Sequence, residues 1–348
     1  MKIANAMFGK GLGGIEQAFV DYASALKSEG HSVINLVRPG SRIIDDLWPV
    51  ARRIYQVLSL GGWDYFSVYR IRKILADFRP DAIITHGSRA FTLVEKANSL
   101  RMPIIAVTHN YNFKRLISAD AFFCITTHLE KSLIAEGIDE RKIYRIPNMV
   151  KAETAAFNFP GWQGRRPIIG TMGRFVKKKG FDNFIEALVI LKSRNVDFSA
   201  IIGGNGEEEE HLKNMVQKFG LADHVIFGGW VRDKKAFFDT IDIFCLPSLH
   251  EPFGIVLLEA LAHGKPVASS DSEGPSEIIR HEENGLIFHR GDAGQMADAL
   301  EKLIKNQQLA EWVADGGYKT ARLEYDQKSI GRKISIALEK IMKNQRYE

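Results

Sequence analysis

The sequence predicts an α/β protein of two domains, each built on a parallel sheet, and three observations carry that expectation. The chain has 348 residues, more than one usual domain needs and suited to two of about 150 to 170. Short apolar runs of strand length alternate with segments of helical period in both halves. Between the halves, residues 151–166 carry Pro160, Gly161 and Gly164 with no clear period, and read as a linker. The expected division is therefore 1–150, a linker over 151–166, 167–326, and a terminal helix over 327–348.

The first half opens with a strand over 2–7, a turn holding Gly9, Gly11, Gly13 and Gly14, a helix over 15–27 and a second strand over 31–37. Phe19, Ala23 and Leu26 fall on one face of that helix. Gly9, Gly11 and Gly14 match the dinucleotide fingerprint, which also needs an acidic residue after the second strand to hold a ribose. Arg38-Pro39-Gly40 stands there instead, so a dinucleotide oxidoreductase stays open but weakened. Compact apolar runs at 81–85 and 103–107 each end in a histidine, His86 and His109, where parallel sheets place their ligands. Further strands are expected at 122–126 and 142–146.

Residues 41–79 break this alternation. Arg42, Arg52, Arg53, Arg70, Arg72, Lys73 and Arg79 are interleaved with Trp48, Tyr55, Trp63, Tyr65, Phe66 and Tyr69. Such a mixture suits a face lying against anionic lipid, and equally two helices with core aromatics and solvated cations. It would also suit nucleic acid, but no nucleic-acid module accompanies it.

In the second half, a strand over 167–172 runs into Gly173-Arg174, then Lys177-Lys178-Lys179-Gly180. A strand over 196–202 ends in Gly203-Gly204-Asn205-Gly206, and one over 225–229 leads into Trp230-Val231. A strand over 241–246, a loop over 247–253 and a helix over 255–262 closed by Gly264 follow. Strands over 266–270 and 284–288 flank a short helix from Gly274, and helices are expected over 293–305, 307–323 and 327–343. A helix starting near Gly254 would aim free amides and its positive dipole end into the crevice holding Glu251. Phosphate would meet amides there and hydroxyls would meet the carboxylates of Glu251 and Glu259, which points to a nucleotide sugar. The plainer alternative makes Glu251 an ordinary loop carboxylate and Glu259 a solvated one.

Bulk properties remove several classes. With 45% hydrophobic and 26% charged residues the composition is that of an ordinary globular protein. No apolar run approaches the eighteen or so residues of a membrane span, and residues 1–4 enter a strand without a signal-peptide pattern. Cys124 and Cys245 lie in apolar strands and read as inert buried thiols, which fits a reducing cytoplasm. Residues 1–150 hold 20 Lys and Arg against 14 Asp and Glu, so the basic excess of the +5 chain belongs to the first half. No Asp-x-Asp pair or cluster of His and Cys suggests a metal, and no cofactor is expected beyond the donor substrate itself.

Glu251 and Glu259, spaced eight apart around Pro252-Phe253-Gly254 and ending in Ala260, Ala262 and Gly264, resemble the signature of the family 4 retaining glycosyltransferases. Gly13-Gly14-Ile15-Glu16, Thr108-His109-Asn110, Pro147-Asn148, Gly173-Arg174 with Lys179-Gly180, and Asn284 to Phe288 resemble other motifs of that family. Asn205 departs mildly, since the family often has aspartate there. The resemblance is strong over 170–288 and weak before residue 150.

It implies a GT-B fold, two Rossmann-like domains facing across a cleft, with the final helix returning to the first. It implies transfer of a sugar from a nucleotide-sugar donor to a hydroxyl of a glycan or lipid-linked acceptor, as in lipopolysaccharide or cell-surface polysaccharide synthesis. By the same resemblance, Arg174 and Lys179 with the amides of Gly254 and Ile255 stabilise the departing diphosphate. Glu251 holds sugar hydroxyls, Glu259 the ribose, and His109 the transferred sugar. Gly14 closes the phosphate side, and Phe253 and Val231 belong to the donor site. A sugar-nucleotide epimerase or a non-catalytic nucleotide-sugar binder on the same frame remains an alternative, and contact with the inner face of the cytoplasmic membrane is expected through 42–79.

Overall fold

Seven short parallel strands make the first sheet. They are β1 (Lys2–Met7), β2 (Ser32–Val37), β3 (Ile54–Gln56), β4 (Ala82–His86), β5 (Ile104–Thr108), β6 (Ala121–Cys124) and β7 (Ile143–Arg145), in the spatial order β3-β2-β1-β4-β5-β6-β7. The computed structural model describes residues 1–11, 13–51, 53–59, 64–151 and 156–344. Every residue of β4, β5 and β6 is buried, as expected of strands covered by helices on both faces. The covering helices are α1 (Gly14–Ser28), α2 (Ile44–Leu47), α3 (Tyr65–Phe78), α4 (Ser88–Ala97) and α5 (Thr127–Ala135).

The second sheet has six parallel strands, β8 (Ile168–Arg174), β9 (Ser199–Asn205), β10 (Val225–Gly229), β11 (Ile243–Leu246), β12 (Val267–Ser270) and β13 (Leu286–Phe288), in the order β10-β9-β8-β11-β12-β13. Its helices are α6 (Phe181–Ser193), α7 (Glu209–Lys218), α8 (Lys234–Thr240), α9 (Ile255–Ala262), α10 (Pro275–Ile278), α11 (Ala293–Lys305) and α12 (Gln307–Glu324). The last helix, α13 (Gln327–Asn344), crosses back to the first sheet. There Ile330, Ile334, Leu338 and Ile341 join Ile3, Tyr22 and Leu26 in one buried cluster. The chain accordingly divides into two compact units, Met1–Met149 with Tyr325–Glu348, and Val150–Glu324.

Strand order fixes where ligands go. In each sheet the direction of winding reverses once, between β1 and β4 in the first and between β8 and β11 in the second. Such a switch point leaves a crevice beyond the carboxyl ends of its two strands. The glycine loop after β1 and His86 at the end of β4 border one crevice. The loops after β8 and β11, with Arg174, Lys179 and Glu251, border the other.

Three segments differ from expectation. Residues 41–79 contain an edge strand, β3, paired with Asn35 to Val37 of β2; at three residues, two of them exposed, it is too short to show a period. In α3, Ser67, Val68, Ile71 and Leu75 fill the inward face, and the aromatics point the other way. Tyr65, Phe66 and Tyr69 are 78%, 79% and 66% exposed, so they are not core residues; Arg52 and Trp63 lie outside the described residues. The segment before β8 packs into the second unit, where Trp162 is buried and its indole Nε1 donates to Ile304 O at 2.9 Å. Strand β9 begins three residues later than its apolar run and continues through Gly203 and Gly204, which pair in register with Met172 and Gly173 of β8.

Candidate functional site

The second-unit site is assembled by two loops that touch. After β8 the chain makes a single 3-10 turn over Lys177–Lys179 and enters α6 through Gly180, at φ 64°. A Cβ at Gly180 would stand 2.2 Å from the carbonyl oxygen of Pro247, so only glycine lets the loop after β11 come this close. Backbone hydrogen bonds from Leu249 and His250 to Lys178 O, at 2.9 and 3.2 Å, tie the loops together.

This junction brings Lys179 and Glu251 into contact, the ammonium donating to Oε2 of the carboxylate. Both are largely buried, with Glu251 8% exposed. A second glutamate orders the loop from behind. Glu273 accepts from the Glu251 amide at 3.2 Å and from Arg290 at 3.1 Å, and its Oε1 lies 2.9 Å from His250 Nδ1. Burial alone would raise the Glu273 carboxyl, but its hydrogen bonds outweigh burial and hold it below the ordinary glutamate range. Arg174 stands exposed at the end of β8, without an ion-pair partner among the described residues.

Beyond Phe253, which is buried, Gly254 takes φ 91° and ψ 60° and becomes the N-cap of α9. A glycine in that left-handed conformation offers no side chain to the first-turn amides, so the helix presents N–H groups and a positive dipole end without an internal acceptor. One turn on, Glu259 is 9% exposed, which rules out the solvated alternative. Lys234, the first residue of α8, donates to its Oε1 at 2.5 Å, while Oε2 is buried with no hydrogen-bond partner among the described residues. A buried acceptor without a donor is costly and fits a ligand hydroxyl. Val231 lies over Gly203 at the end of β9, where an added Cβ would come within 2.6 Å of its Cγ2.

Gly14 and His109 belong to the first unit. None of Gly9, Gly11, Gly13 and Gly14 has positive φ; Gly13 is extended at φ −160°. Gly9 and Gly13 make room instead for Glu16, whose carboxylate oxygens would lie 2.6 and 3.2 Å from a Cβ at each. His109 follows β5, and its Nε2 lies 3.0 Å from Nδ1 of His86. Burial lowers His109 to about 4. Burial and then the neighbouring His109 push His86 well below the ordinary histidine value, so both rings are neutral at pH 7.

The second unit thus brings Lys179 and Glu251 together and places Gly254, Ile255 and Phe253 on the same loop-to-helix turn. Sequence reasoning missed Lys234, Glu273 and His86's partner Asn5. Lys234 and Glu273 lie 25 and 22 residues from the groups they hold, and no short-range motif announces either. Among the described residues no group of three or more His, Cys, Asp or Glu could hold a metal ion, and no helix is long and apolar enough to cross a membrane.

Known proteins resemble this chain in sequence and in fold. Residues 12–154 match the family described as Glycosyltransferase Family 4, and residues 153–320 match Glycosyl transferases group 1. The lipopolysaccharide core biosynthesis glycosyltransferases LpsE and LpsD of Rhizobium meliloti are each 29% identical over 339 residues, covering 95% of this chain and 96% of theirs. Among solved structures, HepE of Anabaena, crystallised with UDP and glucose, superposes with a TM-score of 0.84 at 19% identity over 97% of this chain and 99% of its own. A glycosyltransferase of Rickettsia africae gives 0.84 at 20% identity over 99% of each chain. With two parallel α/β sheets, a helix returning to the first, and matches that together run from residue 12 to residue 320, the chain is a glycosyltransferase of GT-B fold that carries a Glycosyltransferase Family 4 domain and a Glycosyl transferases group 1 domain.

Proposed function

We propose that this chain transfers a sugar from a nucleoside diphosphate sugar to a hydroxyl of a glycan or lipid-linked acceptor, retaining the anomeric configuration, in building a lipopolysaccharide core or related surface polysaccharide. The observation that carries this reading is the second-unit crevice. Within it, Lys179 meets Glu251, α9 begins without a side-chain cap, and Glu259 keeps a buried oxygen with no partner among the described residues. The names of LpsE and LpsD support the pathway, and HepE was crystallised with UDP and glucose.

The groups divide the donor among them. Lys179, Arg174 and the amides of Gly254 and Ile255 face the diphosphate, where negative charge grows as the bond from the sugar C1 to the β-phosphate oxygen breaks and its electron pair leaves with the phosphate. Glu251 takes sugar hydroxyls, and the open oxygen of Glu259 a ribose hydroxyl. In front-face transfer the acceptor oxygen bonds to C1 on the face the phosphate leaves, and its proton passes to the departing phosphate oxygen. Glu251 is engaged by Lys179, which favours this route over attack by a carboxylate. Cations and amides supply the positive charge, so activity survives a chelator; abolition by EDTA with rescue by manganese would overturn that.

The exposed face of α3 supports a place for the reaction. Tyr65, Phe66 and Tyr69 stand beside Arg70, Arg72 and Lys73, an amphipathic aromatic and cationic surface suited to anionic headgroups. Docked there, the enzyme would work at the inner face of the cytoplasmic membrane. Vesicles rich in phosphatidylglycerol should sediment the protein, and equal binding to neutral vesicles would count against this face.

The reaction is tested with UDP-glucose, UDP-galactose, UDP-N-acetylglucosamine and GDP-mannose, each with a truncated lipopolysaccharide acceptor. Acceptor-dependent release of nucleotide supports transfer. Donor isomerisation without release would favour the epimerase, and donor binding with neither outcome a non-catalytic binder.

A further inference from the structure

Four polar side chains, Asn35, Asn5, His86 and His109, run in a line through the first unit. Asn5 of β1 is in register with Asn35 of β2 and with Ile84 of β4. His86 stands two residues beyond Ile84 and so on the same face of the sheet, and its ring stacks on His109 with centroids 5.2 Å apart.

One backbone carbonyl sets the direction of every hydrogen bond in this line. Phe19 O can only accept, so the Asn5 atom 3.2 Å from it is the amide nitrogen. The same nitrogen donates to Asn35 Oδ1 at 3.2 Å. Asn5 Oδ1 therefore faces His86 Nε2 at 3.1 Å, and that nitrogen must carry the proton. A neutral His86 has only one ring proton, which leaves Nδ1 as an acceptor, and His109 Nε2, 3.0 Å away, must donate to it. A neutral His109 with its proton on Nε2 keeps a bare lone pair on Nδ1. Among the described residues that atom has no protein partner. Phe19 and Tyr22 of α1 pack edge-on against His86, at 5.6 and 4.9 Å between centroids, and keep its ring from turning over.

We propose that Asn5, Asn35 and His86 are positioning residues that lock His109 in the Nε2-protonated tautomer and so make its Nδ1 a committed acceptor for a hydroxyl of the substrate sugar. This rests on the reading of His109 as a sugar contact. A site that accepts from a hydroxyl rejects a sugar lacking it, because the nitrogen, covered by the bound sugar, would be left unpaired. Selectivity in the first unit thus originates in a line of side chains of which only the last meets substrate.

The test is the tautomer itself, read from long-range nitrogen–proton correlations in protein labelled at histidine nitrogen, at pH 7 without ligand. The wild type should show His86 and His109 neutral with the proton on Nε2, and a proton on Nδ1 of His109 or an imidazolium would overturn the proposal. This first measurement needs no variant. His86→Leu should then give mixed tautomers at His109, while His86→Asn, whose amide oxygen replaces the accepting nitrogen, should restore one. A single Nε2–H tautomer in His86→Leu would also overturn it.

Turnover of the best of the four donors named above should fall about tenfold in His86→Leu, the worth of one hydrogen bond, and recover in His86→Asn. UDP binding should be unchanged in both. If the tautomers behave as expected but His109→Ala turns over donor like wild type, the sugar-contact reading fails and the relay stands.

Discussion

Acid should weaken the first unit through His109 before most carboxylates titrate. Its folded value of about 4 lies well below the ordinary 6.5, so between these values the unfolded chain binds a proton that the folded chain refuses. Stability is therefore complete above pH 6.5 and is lost as pH falls toward 4. For this pair of values the loss between pH 7.5 and pH 5 comes to about 2 kcal/mol. His86 and His31 are displaced in the same direction, so the contribution of His109 must be isolated by difference. His109→Gln does this, because its amide nitrogen can still donate to His86 Nδ1. Hydrogen exchange of the β4 and β5 amides reads the opening energy of this unit separately from the other. Wild type should lose about 2 kcal/mol more than His109→Gln over that pH range, and parallel pH dependences in the two proteins would refute the reasoning.

Other substitutions probe the frame and the donor site. Gly180→Ala must force apart the loops after β8 and β11, since its Cβ would meet Pro247 O at 2.2 Å with φ at 64°; a loss of about 1–3 kcal/mol is expected in urea unfolding, with donor affinity falling alongside. Ile334→Ala empties a fully buried site where α13 meets the first sheet and should cost about 2–5 kcal/mol, seen in exchange of β1 and β4 amides but not of β8. Glu259→Leu leaves Lys234 without its partner and should weaken UDP binding by about tenfold, measured by calorimetry, if Glu259 holds the ribose.

The two sheets were legible because buried parallel strands are continuous apolar runs, and because each switch-point loop carries glycines that the chain needs for close approach. Helix α9 and its start at Gly254 could be placed from the apolar strand before it and the small residues after it. What pattern could not decide was the orientation of α3. Val68, Ile71 and Leu75 already supply an inward stripe, so Tyr65, Phe66 and Tyr69 were free to face out, and either arrangement satisfies the helical period. Pairings across long stretches of chain were equally hidden. Lys179 and Glu251 could be named separately for the two ends of a donor, yet they stand 72 positions apart in the chain and meet only because the fold brings two loops together. The line from Asn35 to His109 draws on three strands and the loop after a fourth, and a lone asparagine in an apolar strand does not reveal what it faces.

The central claim is that a donor diphosphate lies between the cations after β8 and the amide-rich start of α9. It is tested most directly by calorimetric titration of UDP, GDP and the four sugar nucleotides into the wild type and Arg174→Ala, an exposed position with no ion pair among the described residues. One nucleotide and its sugar should bind, raising the melting point by about 5 °C or more at saturation, and Arg174→Ala should weaken that binding about tenfold or more with the fold intact. Absence of binding by all six ligands, or equal affinity in the two proteins, would contradict it.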